Sequence, residues 1–242
     1  MAEKKMINWY KTLKPEKIVN PAYQIHQIKL PFRMLVCTSS GGGKTNFVTN
    51  LLYHMSHTFT RIVVVTKAEE PLYDMVKDRL EGVKIHIYDI DGMPDIDSTD
   101  KTNKLLILDD LVLEKDKAIG AAFIRGRKLG WSSIYITQSY FGTPKLVRQN
   151  VNYVALGRGI NKRDLRMILS EYSMRLSEDE LLALYNRATE KPMHFMLLDF
   201  VKPEIRHNLF DVMWPTQEPY VDPELMPAPE QPGLVPMPQV EL

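Results

Sequence analysis

A lysine and a threonine set directly behind a run of glycines can grip phosphate. In Ser39-Ser40-Gly41-Gly42-Gly43-Lys44-Thr45-Asn46, backbone N–H groups of a glycine turn and the N-terminus of a following helix would converge on anionic oxygens. The phosphate-binding template G-x-x-x-x-G-K-[ST] is met at Gly43, Lys44 and Thr45, with Thr38 standing where the first glycine belongs. On this reading Lys44 reaches the β- and γ-phosphates of a nucleotide and the Thr45 hydroxyl sits on Mg²⁺. Ser40, Gly41, Gly42, Gly43 and Asn46 complete the cradle. The plainer alternative, a glycine-rich surface turn, has to account for the elements on either side and for an acidic strand end downstream.

That strand end is Leu105-Leu106-Ile107-Leu108-Asp109-Asp110. Asp109 is suited to hold Mg²⁺ through its water shell, because Mg²⁺ takes few carboxylates and keeps most of its waters. Asp110 is the candidate to polarise the attacking water, with a turn or helix cap as the alternative. Gln138, at the end of another apolar run, could hydrogen-bond the γ-phosphate or the water, although polar residues also end strands merely for solvation. Arg125 and Arg127, just upstream, are candidates for an arginine supplied across a subunit boundary, worth about 10³ to 10⁵ in rate. Arg148 and Arg158 are rivals for that role. Other constellations fail: His54 and His57 lack the His-Glu-x-x-His pattern, no Cys/His spacing suggests zinc, and no G-x-S-x-G elbow is present. Cys37 reads as a small buried residue rather than a nucleophile.

The elements that must position these residues follow from periodicity. Arg33 to Thr38 reads as a buried strand and Lys44 to about Ser56 as a helix, with Phe47, Val48, Leu51, Leu52 and Met55 at helical spacing. Before them, Tyr23 to Leu30 alternates polar and apolar and predicts a half-exposed edge strand. Strands are expected at Arg61–Thr66, Lys84–Tyr88, Leu105–Asp110, Trp131–Thr137, Asn152–Leu156 and Met193–Phe200. Helices are expected from Pro71 to about Leu80, about Lys115 to Leu129, Pro144 to about Asn150, Lys162 to Ser170 and Glu178 to Ala188. Ser177 and Glu180 announce the last as a capping box. Alternating strands and helices imply an α/β fold with a mostly parallel sheet and ligands at the carboxyl ends of the strands. The expected division is an arm and edge strand over 1–30, a nucleotide-binding domain over 31–200, and a proline-rich acidic tail over 201–242.

With 242 residues, 44% hydrophobic and 25% charged, the chain is ordinary for a globular protein. No apolar run approaches the ~18 residues of a membrane span, so no membrane partner is expected. The lysine-rich start lacks the apolar segment of a secretory signal, and one cysteine, Cys37, suits a reducing compartment. A formal net charge of +1 conceals an asymmetry. Between 115 and 175 twelve Lys and Arg face three Asp and Glu, whereas from 203 onward Arg206 alone faces seven acids. The basic stretch suits a nucleic-acid-facing surface or simply a solvated face.

Taken together these motifs resemble the viral genome-packaging ATPases of the poxvirus-type branch of the FtsK-HerA superfamily. Ser40, Gly41, Gly43, Lys44 and Thr45 match its phosphate loop, Asp109 and Asp110 its acidic strand end, and Thr137-Gln138-Ser139-Tyr140-Phe141 with Pro144, Lys145 and Arg148 its third motif. Gly126-Arg127 corresponds to the Gly-Arg before that strand. The resemblance covers about residues 31–200 and implies a P-loop NTPase of the additional-strand, RecA-like type. It further implies a homo-oligomeric ring, pentamer or hexamer, that uses ATP and Mg²⁺ to drive double-stranded DNA, without reading its sequence, through a capsid portal vertex. The host cytoplasm, the viral factory or the virion would be its place of action. Two other readings stay open from the residues alone: a nucleotide or small-molecule kinase, and a nucleotide-binding assembly protein without motor activity.

Overall fold

The structure is a computed structural model, and it describes residues 18–67, 70–80, 82–89, 91, 96, 102–111 and 117–215. Residues 1–17 of the expected arm, the first residues of the helix expected from about Lys115, and the tail beyond 215 lie outside the described residues.

Nine described strands form one sheet in the order β3-β2-β4-β5-β1-β6-β7-β8-β9. They are β1 Arg33–Cys37, β2 Arg61–Thr66, β3 Lys84–Tyr88, β4 Lys104–Asp109, β5 Trp131–Thr137, β6 Tyr153–Gly157, β7 Phe195–Asp199, β8 Glu204–His207 and β9 Asp211–Trp214. From β3 to β6 every pair is parallel, and β7, β8 and β9 add on antiparallel. Parallel strands buried on both faces need apolar side chains at successive positions, and β1, β4, β5 and β6 are buried at every residue.

Helices cover the two faces unequally. Helix α2, Lys44–His54, and helix α3, Pro71–Arg79, lie on one face. Phe47, Val48, Leu51, Tyr73 and Val76 pack there on Val36, Val64, Leu105, Ile107 and Ile136. The opposite face carries α4, Lys117–Arg125, α6, Lys162–Glu171, and α7, Glu178–Ala188. Phe123, Ile168, Leu181 and Tyr185 pack there on Leu35, Leu106, Leu108, Tyr135 and Leu156. A short α5, Lys145–Arg148, follows β5. The capping box expected at Ser177 and Glu180 opens α7.

Two expectations are overturned. Tyr23 to Leu30 is no edge strand: a one-turn helix α1 spans Tyr23–His26, and Gln27 adopts φ 52°. Local capture of the backbone explains it, because buried His26 accepts the Ile28 N–H on Nδ1 at 3.0 Å and so withdraws that donor from any ladder. Burial and the nearby Arg206 push this imidazole down to about 4, which keeps it neutral and able to accept. The tail also begins later than residue 201, since β8 and β9 extend the sheet to Trp214. Two charges of the expected acidic tail are buried here: fully enclosed Arg206 reaches Glu204 at 3.2 Å and, on β7, Asp199 at 2.8 Å. It also donates to the His26 and Leu209 carbonyls at 2.9 and 2.8 Å.

Candidate nucleotide site

Cys37 ends β1 beside Thr137 of β5 and Leu156 of β6. The chain then turns through Thr38–Gly43 into the N-terminus of α2. Gly41 and Gly43 take φ 69° and 89°, a left-handed conformation that side chains resist. Burial pushes the Cys37 thiol up to about 12, so it is an inert packing residue.

Thr38 occupies the place of the template's first glycine, and the structure shows how the loop accommodates it. Its side chain is fully buried, and its hydroxyl donates to the Arg158 carbonyl at 2.6 Å. Two glycines make that room. A Cβ on Gly42 would lie 2.3 Å from Thr38 Oγ1, and one on Gly157 would lie 2.7 Å from Thr38 Cβ. The Ser39 hydroxyl donates to the same Arg158 carbonyl at 3.2 Å. Ser40 and Gly41 are exposed at the lip, and Asn46 contacts Met193 Sδ from the first turn of α2.

Lys44 folds back so that Nζ donates to the Ser39 carbonyl at 3.2 Å. An ammonium whose carbonyl partner lies in the loop itself is placed to exchange that partner for a phosphate oxygen. The Thr45 hydroxyl approaches Glu70 Oε2 at 3.4 Å.

Asp109 ends β4, two strands from β1, with β5 inserted between them. Its carboxylate is nearly buried and accepts the Tyr73 hydroxyl at 2.7 Å on Oδ2. Burial raises its pKa, with the Tyr73 hydrogen bond and Lys44 acting against that rise and the charges of Asp110 and Glu70 adding to it. A desolvated carboxylate crowded by like charges is relieved by a cation. Asp109 and Thr45, with Glu70 beside them, therefore form a donor set that fits Mg²⁺. Asp110 is exposed, takes φ 52°, and accepts the Gln138 amide on Oδ2 at 2.8 Å. The structure thus brings Asp110 and Gln138 together at the same end of the sheet as the loop.

The arginines separate. Arg125 ends α4 and Arg127 lies in the 3₁₀ turn Gly126–Leu129, both exposed at the start of β5. Gln138 follows the other end of that seven-residue strand, so about 20 Å of extended chain lies between the arginines and their own cradle. Arg127 instead lies near Arg33 at the start of β1, where its charge helps lower the pKa of that largely buried guanidinium. Arg148 is committed to packing: it pairs with Glu171, donates to the Thr143 carbonyl at 3.3 Å and lies over the Tyr140 ring. Arg158 sits beside its own cradle, with Nη1 donating to the Glu190 carbonyl at 3.4 Å.

Sequence reasoning passed over three residues here. Glu70 caps α3, accepting the Leu72 N–H at 3.3 Å; an acid directly before Pro71, four residues after a buried strand, was the available signal. Tyr73, three residues on, had only its helical spacing. Asp164 is buried and accepts the Tyr140 N–H at 2.7 Å and the Phe141 N–H at 3.4 Å, which fixes the loop that carries Gln138. It stands three residues after the cap Asn161, where an acid ordinarily turns back on its own helix.

A phosphate cradle after β1, an acidic strand end on β4 and an inserted β5 between them define a P-loop NTPase of the additional-strand type. Sequence comparison places the chain within that class: it belongs to the Poxvirus A32 protein family, which matches residues 23–194. Solved structures share the fold. The genome packaging NTPase B204 from Sulfolobus turreted icosahedral virus 2 in complex with AMPPCP aligns with TM-score 0.55 at 17% identity, over 75% of this chain and 98% of that one. The same protein with ATP-gammaS gives 0.55 at 16% identity, over 76% and 100%. B204 from Sulfolobus Turreted Icosahedral Virus, described as a DNA-packaging ATPase, gives 0.52 at 14% identity, over 78% and 98%. No curated protein sequence matches the chain.

Proposed function

We propose that this protein is an ATP-hydrolysing motor that moves double-stranded viral DNA into a preformed capsid. The observation that carries the reading is the meeting of the Gly41–Thr45 cradle with Asp109, Asp110 and Gln138 at one end of the sheet. Membership of the Poxvirus A32 protein family and the fold shared with packaging NTPases support it. B204 holds AMPPCP and ATP-gammaS, and the cradle here has the matching chemistry for ATP.

In this reading Lys44 neutralises β- and γ-phosphate oxygens, and the N–H groups of 41–45 with the α2 N-terminus orient them. Thr45 and Asp109 would hold Mg²⁺, which when bound supplies further neutralisation of phosphate charge. Gln138 faces the γ-phosphate position and, through its bond to Asp110, registers whether that phosphate is present. Arg125 or Arg127, remote from its own cradle, acts on the neighbouring subunit of a pentameric or hexameric ring at the capsid portal vertex. The work would be done in the host cytoplasm or viral factory, or on the virion itself. Basic side chains lining the channel would hold DNA phosphates without reading bases.

The test is phosphate release by the purified protein with and without double-stranded DNA. Stimulation by DNA, and loss of at least about 100-fold in Lys44→Ala and Asp109→Ala, is the expected result. Nucleotide binding without phosphate release would favour an assembly protein, and phosphate appearing on an added metabolite would favour a kinase. Unchanged turnover in both variants would refute the site.

A further inference from the structure

We infer that Arg33 and Arg127 form a second phosphate site, at the end of the sheet opposite the cradle, built for a terminal, doubly charged phosphate group. Side chains alternate along a strand, so residues two apart share a face. Arg61 shares its face with Val63 on β2, Lys104 with Leu106 on β4, Ser133 with Tyr135 on β5 and Arg33 with Leu35 on β1, and all four of these partners lie in the layer of α4, α6 and α7. Three cations and a hydroxyl thus line one rim of that layer, in the strand order β2-β4-β5-β1. Arg61 and Lys104 rest over the Trp131 ring, 5.8 and 5.7 Å from its centre. The turn that carries Arg127 is pressed onto the same tryptophan, where a Cβ on Gly126 would lie 3.1 Å from Trp131 Cβ.

Arg33 is only 8% exposed, and its Nε is buried without a hydrogen-bond partner. Ser133, opposite it in the register of β1 and β5, holds a second buried polar atom without one. Among the described residues no acid acts on the Arg33 charge. The group that does act is Arg127, and burial followed by that like charge lowers the pKa. A buried guanidinium that meets another cation and no anion is costly to the free fold. The enclosed Arg206 is answered quite differently, by two carboxylates and two carbonyls.

Chemistry defines the partner that Arg33 lacks. Buried Arg33 is the floor of the site and exposed Arg127 its mouth. Two guanidiniums bring two positive charges and two forks of donors, which match the several oxygens of a phosphate dianion. A carboxylate brings a single charge. A DNA phosphodiester also brings one, and its flanking sugars keep it from so deeply buried a guanidinium. Two sources carry the terminal group: inorganic phosphate, and the end of a nucleotide held by a neighbouring subunit. Only the second rests on the motor proposed above.

The experiment uses the full-length protein carrying Lys44→Ala, which takes the lysine of the phosphate loop out of the measurement. Thermal unfolding is followed with inorganic phosphate and with acetate at constant ionic strength. Phosphate should raise the midpoint, and its affinity should fall at least about tenfold when Arg33→Met or Arg127→Ala is added. Without phosphate, adding Arg33→Met should itself raise the midpoint, because an apolar side chain of similar length replaces an unpartnered buried charge. An arginine kept only for packing would give the opposite shift. Arg33→Met subunits with an intact cradle are then mixed into wild-type assemblies. A loss of ATP turnover steeper than dilution assigns the phosphate to the neighbour's nucleotide, and a proportional loss assigns it to free phosphate. Phosphate affinity within about threefold in either variant, an equal response to acetate, or a lower midpoint for Arg33→Met without phosphate would overturn the site. A wild type that releases no phosphate from ATP removes the neighbour's nucleotide as the source, and the phosphate titration still decides the site.

Discussion

Substituting Gly42 by alanine should damage the phosphate loop through Thr38. The added Cβ would lie 2.3 Å from Thr38 Oγ1, 2.9 Å from Thr38 Cγ2 and 3.0 Å from the Ser39 carbonyl oxygen. Relief to an ordinary contact needs a shift of about 1 Å. Thr38 cannot yield freely, because it is fully buried and its hydroxyl is fixed on the Arg158 carbonyl at 2.6 Å. Overpacking of this kind costs about 1–3 kcal/mol, and tearing the hydroxyl from its buried acceptor adds about 1 kcal/mol or more. A total of about 2–4 kcal/mol should appear, shared between fold stability and nucleotide affinity. The decisive assay is a double-mutant cycle with Thr38→Ala, which removes both colliding atoms. Denaturant unfolding and analogue titration should give a favourable coupling of at least about 1 kcal/mol, the double variant being better than the sum of the singles. Strict additivity, or a neutral Gly42→Ala, would refute the idea that Gly42 is bare to make room for Thr38.

The remaining predictions concern the sheet edge and the subunit boundary. Arg206→Ala should cost about 3–5 kcal/mol in denaturant unfolding, since it leaves Asp199 and Glu204 buried without their cation; a loss under 1 kcal/mol would show the cluster to be dispensable. Arg127→Ala subunits mixed into wild-type assemblies should lower ATP turnover more steeply than dilution alone, because each removes a group from its neighbour's site. Activity strictly proportional to the wild-type fraction would exclude Arg127 as a residue acting across the boundary.

Much of the site could be read before the fold was known, because its physics is local. The Gly43-Lys44-Thr45 turn, the apolar run ending in Asp109 and the strand delivering Gln138 each carry their signal within about ten residues. What escaped reading depends on partners distant in sequence. Thr38 is tolerated because Gly157 is bare, and no local pattern links the two. Asp164 resembles an ordinary helix-start acid until the loop at Tyr140 is laid against it. Segment 23–30 alternates like a strand, yet the His26 side chain claims the backbone first. β8 was hidden in acidic composition because its charges are neutralised inside the protein, by Arg206, rather than by water.

The Thr38 contacts give the two flanks of the cradle different stiffness. On one side, the hydroxyls of Thr38 and Ser39 end on one carbonyl after β6, and Tyr185 of α7 donates to the Gly157 carbonyl at 2.9 Å. The phosphate loop, the end of β6 and α7 are thereby clamped into one block. On the other side, Lys44, the Thr45–Glu70 contact and the Asp110–Gln138 pair use side chains that a phosphate can displace. The α7 flank of the cradle is therefore held by hydrogen bonds onto backbone carbonyls, whereas the α3 flank and the strand end at Gln138 are held by pairs of side chains.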